Sequence, residues 1–341
     1  MRRNRRVEPE VIPAVPVEFA DPSLAADILN GLAGVEKVLA EAANTEEALL
    51  TEASRHLIEA GGKRFRATLV LLAAQFGDPR DERIVPAAAA IELTHLATLY
   101  HDDVMDEASI RRGHESANAR WSNTIAILTG DFLFARASNI LADLGAEAIR
   151  IQANTFTRLV SGQVAETLGP RPGQDPLAHY LRVVEDKTAS LIATAGRFGA
   201  MFAGVPGDLV DRIASASHAL GVAFQLSDDI LDVASESAQS GKEPGTDLRE
   251  GVRSLPVLHA LAAPGQDGGR LRELLSLGGL TDASLHAEAL ALLRAHPAMD
   301  AARADLGRWV AAAQAEIAGL PDVPARRAFE TFCDFVLDRS S

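Results

Sequence analysis

The stretch His95-Leu-Ala-Thr-Leu-Tyr-His-Asp-Asp-Val-Met-Asp106 places three carboxylates on a segment that is otherwise mostly apolar. Ala and Leu favour a helix, and Asp102 and Asp106 then lie four residues apart on one helix face. A second stretch, Phe224-Gln-Leu-Ser-Asp-Asp-Ile-Leu-Asp232, repeats this arrangement. Acidic groups with apolar flanks predict two helices that line a cavity, because a solvated acidic face would have polar flanks.

The rest of the chain has the composition of an all-α protein. Ala, Leu, Glu and Arg dominate, alternating β-branched residues are scarce, and Asp21-Pro22 and Asp175-Pro176 predict helix starts. No segment within residues 22–339 is long or polar enough to separate two domains. We therefore predict a single large bundle of long, mostly antiparallel helices around a central cavity. Residues 21–341 would form this one domain, and residues 1–20 a flexible N-terminal arm.

The charge balance narrows the classes of ligand. The chain has 33 Lys and Arg residues against 47 Asp and Glu residues, a net charge of −14, which predicts that it does not bind nucleic acid. A phosphate ligand must therefore be held by local cations or by metal. Its one cysteine, Cys333, is expected to be a buried thiol in a reducing compartment, and no run approaches about 18 uninterrupted apolar residues. These features favour a cytoplasmic protein.

The two acidic stretches predict a site for hard cations. Carboxylates without thiols suit Mg²⁺, which proteins often share between one or two carboxylates and the phosphates of a substrate. Arg111 and Arg112 follow the first stretch, and guanidinium groups suit phosphate oxygens. The candidate metal ligands are Asp102, Asp103, Asp106, Asp228, Asp229 and Asp232.

Further motifs give residues 22–339 a resemblance to a known family. They are Gly61-Gly-Lys-Arg-Phe-Arg66, Asp102–Asp106 with Arg111-Arg-Gly113, Gly130-Asp-Phe-Leu133, Gly162-Gln163, Lys187-Thr188, the second acidic stretch with Phe224-Gln225, and Gly241-Lys242 continuing to Asp247-Leu-Arg-Glu-Gly251. In this order the motifs resemble those of the all-trans polyprenyl (isoprenyl) diphosphate synthases, although any one of them alone would be a weak signal.

The resemblance implies a prenyltransferase that condenses isopentenyl diphosphate with an allylic diphosphate primer and repeats the step. It implies roughly three Mg²⁺ ions per active site, which promote loss of the primer's diphosphate. The residues it implies in catalysis are Asp102, Asp106, Asp228, Lys187, Thr188 and Gln225. The residues it implies in substrate binding are Lys63, Arg66, His95, Arg111, Arg112, Lys187 and Lys242.

The chain departs from the family pattern at two positions. Ala67 stands where the family commonly has Pro, and Val252 stands where it often has Lys. Arg253 follows Val252, and the sequence leaves open whether it supplies the missing cation.

Small residues on the first acidic helix favour a long product. Ala87, Ala90, Thr94 and Ala97 recur at spacings of three and four, where short-chain members of the family place bulky aromatics. We expect them to line a tunnel of about 15 Å, which favours medium- or long-chain all-trans polyprenyl diphosphates of about thirty carbons or more. We also expect a homodimer and transient membrane contact when such an apolar product is released.

Three alternatives stay open at this point. The first is a short-chain synthase that makes geranylgeranyl diphosphate, which differs in product length alone. A class I terpene cyclase is less favoured because the second acidic stretch ends in Asp232 and the motif from Lys63 to Arg66 would have no purpose. A non-catalytic partner subunit is less favoured because all six aspartates are present.

Overall fold

The computed structural model describes residues 19–235, 244–263 and 269–339. Within these ranges the protein is helical apart from one antiparallel hairpin, in which Ile110–Arg111 (β1) pairs with His114–Glu115 (β2). The prediction of an all-α fold is confirmed.

The helices follow one another with short connections. They are α1 (Pro22–Ala42), α2 (Ala48–Glu59), α3 (Phe65–Ala74), α4 (Ile84–Met105), α5 (Ala117–Arg120), α6 (Asn123–Leu144), α7 (Ala146–Leu168), α8 (Pro176–Val184), α9 (Ser190–Phe202), α10 (Gly207–Ala234), α11 (Thr246–Glu250), α12 (Leu255–Ala262), α13 (Gly269–Ser276), α14 (Ala283–Arg294), α15 (Ala298–Ala318) and α16 (Pro324–Asp338). A single π-helical turn, Glu185–Ala189, joins α8 to α9.

Helices α4 and α10, which carry the two acidic stretches, lie at the centre of the bundle. Helix α4 packs against α1, α3, α6 and α9, and α10 packs against α9 and α15. The run Ala87–Ala90 on α4 is fully buried, because small side chains let neighbouring helices approach closely. The buried thiol of Cys333 also lies in this core, as predicted.

Two predicted helix starts are confirmed by their capping hydrogen bonds. The Asp21 side chain accepts from the backbone N–H groups of Ser23 and Leu24, each at 2.9 Å. Asp175 accepts from the N–H of Leu177 at 3.0 Å. In both helices proline occupies the first turn, where its missing N–H costs nothing.

Helix α6 is the one helix of the described residues that is long and apolar enough to cross a membrane by those two criteria. Core helices of soluble proteins satisfy the same test, and α6 packs along α4 in the bundle. Asp131 and Arg136 interrupt its apolar sequence. On the outer side, Ile127 and Leu128 are 43% and 53% exposed.

Candidate active site

A cavity of about 420 Å³ lies between α3, α4, α7, α9 and α10. Of the residues predicted for the site, it is lined by Lys63, Arg66, His95, Asp102, Arg112, Lys187, Thr188, Gln225 and Asp228. Lys242 lies outside the described residues. The structure therefore brings together charged side chains that lie far apart in the sequence.

Buried guanidinium groups form one end of the cavity. Arg64 and Arg66 each have a buried nitrogen without a hydrogen-bond partner in the described residues. Burial lowers the pKa of Arg66, Glu92 opposes the shift, and Arg112 adds to it. Burial, together with the charge of these arginines, also lowers the pKa of His95 well below its usual value, so His95 is neutral. This end has unsatisfied donors and excess positive charge, which suits an anion.

The backbone before α3 shapes this basic end. Gly62 has φ +152°, and a Cβ there would lie 3.2 Å from the guanidinium of Arg112, so glycine leaves room for that side chain. Arg64 holds a left-handed conformation with φ 42°. Its guanidinium bonds Glu36 at 2.6 and 3.2 Å and the carbonyl of Ile58 at 3.0 Å, which fixes the loop despite the strain.

The departure at Ala67 has a structural consequence. The backbone N–H of Ala67 donates to Oε1 of the buried Glu92 at 2.9 Å. Proline, which the family commonly has there, has no N–H to donate. The other departure, at Val252 and Arg253, lies on exposed backbone after α11, and neither residue lines the cavity.

Asp102 on α4 and Asp228 on α10 face the cavity at its acidic end. Burial raises the pKa of Asp102, while nearby Lys187 lowers it. Asp106 ends α4 and is exposed, outside the cavity lining. In the described residues no group of three or more Asp, Glu, His or Cys is arranged to hold a metal ion.

Asp103, Asp229 and Asp232 are also engaged by the protein, as Asp228 is by Arg339. Asp103 is buried and accepts from Nε of Arg111 at 2.6 Å, so Arg111 also turns away from the cavity. Asp232 accepts from the backbone N–H groups of Thr246 and Asp247 at 3.1 Å each and thereby anchors the start of α11. Asp229 is buried among three donors and has a pKa raised to about 6 by that burial.

Lys187 and Thr188 lie on the π-helical turn between α8 and α9. Such turns are rare and often occur at functional sites. Nζ of Lys187 contacts Oε2 of Glu166 at 2.5 Å, and the Thr188 hydroxyl donates to Oε1 of Gln225 at 3.4 Å. Gly162 of α7 packs against this turn, and a Cβ there would lie 2.7 Å from the backbone nitrogen of Lys187.

Sequence reasoning missed two residues at the site. Arg339, at the end of α16, forms an ion pair with Asp228, and its guanidinium lies 4.7 Å from the centre of the Phe224 ring. Tyr180 on α8 donates to Asp229 at 2.5 Å. No local motif marks either residue, because each reaches the site from a distant part of the sequence.

The predicted tunnel stripe does not line the cavity. Ala87, Ala90, Thr94 and Ala97 are all buried, but the lining on this side of α4 comes from Thr98 and Leu99. The Thr94 hydroxyl instead accepts from Nε2 of Gln152 on α7 at 2.6 Å. The expectation of about 15 Å of open depth along the stripe is therefore wrong, because Gln152 crosses to Thr94.

This fold and cavity are those of the isoprenoid synthase type of all-α enzyme. A family model described as polyprenyl synthetase matches residues 47–293. The nonaprenyl diphosphate synthase of Mycobacterium tuberculosis is 48% identical over 95% of this chain and 96% of that protein. The dimethylallyltranstransferase of the same organism is 39% identical over 96% and 99%.

A solved structure gives the same result. Geranylgeranyl pyrophosphate synthase from Corynebacterium glutamicum, complexed with calcium and isoprenyl diphosphate, matches with a TM-score of 0.87 and 43% identity over 95% of this chain and all of that one. The chain belongs to the polyprenyl synthetase family, and it is a prenyltransferase that elongates prenyl diphosphates.

We expect Gly162→Ala to lower activity strongly. The added methyl meets backbone rather than a flexible side chain, so the turn that carries Lys187 and Thr188 must shift, and shifts of about 1 Å cost about 100-fold in rate. Steady-state prenyl transfer measures the effect. Gly307→Ala, within α15 and with nothing within 4 Å of the new Cβ, is the control. Equal activity in both variants would contradict the assigned packing.

Proposed function

We propose that the cavity condenses isopentenyl diphosphate with an allylic diphosphate and repeats the step to give a medium- or long-chain all-trans product. The observation that carries this proposal is the presence of two groups in one cavity: buried arginine nitrogens without a partner among the described residues, and the carboxylates of Asp102 and Asp228. An anion without metal suits the first group, and a metal-bound anion suits the second. Two different diphosphates fit such a cavity.

At the basic end, Lys63, Arg66 and Arg112 would hold the diphosphate of isopentenyl diphosphate. The buried Nε of Arg66 has no hydrogen-bond partner among the described residues, and an anion there would offset its desolvation. Neutral His95 contributes hydrogen bonding rather than charge.

The acidic end fits Mg²⁺ by its donor chemistry. Asp102 and Asp228 offer oxygen ligands from two helices, and Mg²⁺ completes its shell with water and substrate phosphate rather than with a protein cage. The exposed Asp106 would join them, and Asp228 would exchange its pairing with Arg339 for the metal. Asp103, Asp229 and Asp232 lie outside the cavity lining and are hydrogen-bonded to other groups, so we propose that they support the ligands. Bound Mg²⁺ supplies charge that stabilises the departing diphosphate.

The condensation then proceeds without an added base. The C–O bond pair leaves with the allylic diphosphate and leaves an allylic cation, to which the double bond of isopentenyl diphosphate supplies the pair for a new C–C bond. A proton is then lost to the released diphosphate. Lys187, beside Asp102, neutralises part of the leaving charge, and Thr188 with Gln225 lines the cavity where the cation forms.

Purified protein incubated with labelled isopentenyl diphosphate, Mg²⁺ and dimethylallyl, geranyl, farnesyl or geranylgeranyl diphosphate tests this function. We expect elongated products that disappear with chelator and return with excess Mg²⁺, because the carboxylates of Asp102 and Asp228 cannot donate hydrogen bonds to a diphosphate and would hold it through the metal. Elongation that survives chelation would contradict the metal site. Cyclised hydrocarbons or no products with any primer would favour the cyclase or the partner subunit.

We propose that product length depends on the apolar part of the cavity. Phe156, Leu159 and Ile192 line it. Thr94 lies eight residues before Asp102, about 12 Å along the helix, and an extended isoprene unit of four backbone carbons spans about 5 Å. A prenyl chain therefore reaches the Thr94–Gln152 hydrogen bond after two to three units, by these rough lengths.

Gln152 can yield to a longer chain because one interhelical hydrogen bond holds it. Its Oε1 atom is buried without a partner in the described residues, and its Nε2 atom donates to Thr94. We propose that the chain displaces Gln152 to grow further, in keeping with a nonaprenyl synthase among the relatives. A residue that stayed in place would give the geranylgeranyl product of the alternative reading.

We expect Gln152→Ala to lengthen the products by one isoprene unit or more. Truncation removes both the hydrogen bond and the side chain that crosses to α4. Mass spectrometry of dephosphorylated products measures the shift. Thr155→Ala, which removes a buried hydroxyl one turn along α7 that bonds Thr194, is the control. An unchanged product length with Gln152→Ala would refute the proposed limit.

We also propose a homodimer through the outer faces of α6 and α7. Six large apolar side chains of these two helices are exposed, namely Ile127, Leu128, Ile149, Val160, Val164 and Leu168, of which Val160 also lines the cavity. Such a patch is typical of a protein interface. Exposure of these apolar side chains to water is unfavourable in free energy, and an interface would remove it.

We expect Leu128→Asp to shift the protein from dimer to monomer, because it places a charge in the interface. Sedimentation velocity gives the mass of each variant. Leu292→Asp, at an apolar residue of α14 with 38% exposure, should leave the dimer intact. A monomeric wild type, or a Leu128→Asp dimer, would contradict this interface.

Three further predictions remain proposals. We propose that residues 21–341 act as one catalytic domain, with residues 1–20 as an arm whose first 18 residues lie outside the described part. We propose a cytoplasmic enzyme, on the grounds of its acidic charge and its free, buried Cys333. Release of a long apolar product would then bring it briefly to a membrane.

A further inference from the structure

Asp229 is surrounded by hydrogen-bond donors that come from three different helices. Its Oδ2 atom accepts from the Tyr180 hydroxyl at 2.5 Å and from the backbone N–H of Leu255 at 3.0 Å. Its Oδ1 atom accepts from Nε2 of Gln225 at 3.1 Å. Asp229 is 6% exposed and does not line the cavity, so these donors take the place of water.

This arrangement determines which way the Gln225 amide points. An ionised carboxylate accepts hydrogen bonds and cannot donate them, so Gln225 must present its NH₂ group to Asp229. Its carbonyl oxygen then points the other way, where it lies 3.4 Å from the Thr188 hydroxyl. Both Gln225 and Thr188 line the cavity.

We infer that Tyr180 and Asp229 are positioning residues that hold the carbonyl oxygen of Gln225 toward the allylic cation. The inference rests on the proposed prenyl transfer and adds to it two residues outside the cavity. A carbonyl oxygen has partial negative charge and stabilises a nearby cation, whereas an amide NH₂ group would destabilise it. An amide that is already oriented needs no rearrangement when the cation forms.

Asp229→Asn tests the inference because the surrounding donors dictate how asparagine must sit. The Tyr180 hydroxyl and the Leu255 N–H both point at the Oδ2 position, so the asparagine oxygen occupies it and the NH₂ group faces Gln225. Gln225 must then turn over to accept a hydrogen bond, which brings its own NH₂ group into the cavity. We expect kcat to fall about 100-fold, while KM for both substrates and the Mg²⁺ requirement stay within about twofold.

A double-mutant cycle separates this role from a direct effect on metal. Gln225→Leu has no amide to turn, so Asp229→Asn should cause no further loss in that background. Tyr180→Phe, which leaves Asp229 with one donor fewer, should lower kcat about tenfold, and this loss should also vanish with Gln225→Leu. If the losses in kcat instead multiply in the double variants, or if the variants need more Mg²⁺, the inference is overturned and Asp229 is assigned to the metal.

Tyr100→Phe is the matched control, since the chain has only two tyrosines. The Tyr100 hydroxyl is also buried, accepts from the N–H of Leu57 at 3.2 Å and donates to the carbonyl of Ala53. Tyr100→Phe should lower the melting temperature by about as much as Tyr180→Phe does and should leave kcat unchanged. An equal fall in kcat in both tyrosine variants would attribute the effect to a lost buried hydroxyl. A wild type without prenyl transfer would instead refute the proposed function itself.

Discussion

The concentration of arginine side chains at one end of a buried cavity is the constraint on which the rest of the site depends. Arg64 is 4% exposed and is paired with Glu36, whereas the Nε of Arg66 has no hydrogen-bond partner in the part of the chain that the structure describes. Burying like charges together is unfavourable. The packing of the helices must offset this unfavourable electrostatic free energy, and a bound anion reduces it. The buried arginines therefore lower the stability of the ligand-free protein, and binding of an anion offsets that loss.

Glu92 shows how the fold limits that cost without removing it. Its carboxylate lies between the Ala67 N–H, at 2.9 Å, and the Arg64 guanidinium, at 3.9 Å. One buried carboxylate cannot neutralise the several cations that line this end. Its position behind the loop leaves the positive charge facing the cavity, where it is available for a diphosphate.

The sequence predicted what depends on local spacing and failed where distant segments meet. Helix starts such as Asp21 follow from capping chemistry within three residues, and Asp102 and Asp228 follow from motifs on single helices. The direction of the carboxylates did not follow, because Asp103 and Asp229 turn away toward Arg111 and Tyr180. Contacts such as Thr94 with Gln152, which are 58 residues apart, depend on how α4 and α7 pack. Periodicity within one helix cannot show that.

The two ends of the cavity offer different kinds of positive charge, namely guanidinium groups at one end and metal bound by carboxylates at the other. This difference suits two diphosphates that react in different ways. Guanidinium groups hold an anion through fixed, planar donors. Asp102 and Asp228 would hold a diphosphate through divalent metal, which would add positive charge beside the C–O bond. In the proposed enzyme, the primer ionises at the acidic end because its C–O bond is allylic and the resulting cation is delocalised, whereas the C–O bond of isopentenyl diphosphate is not allylic. The diphosphate at the basic end keeps its ester bond and supplies the double bond instead.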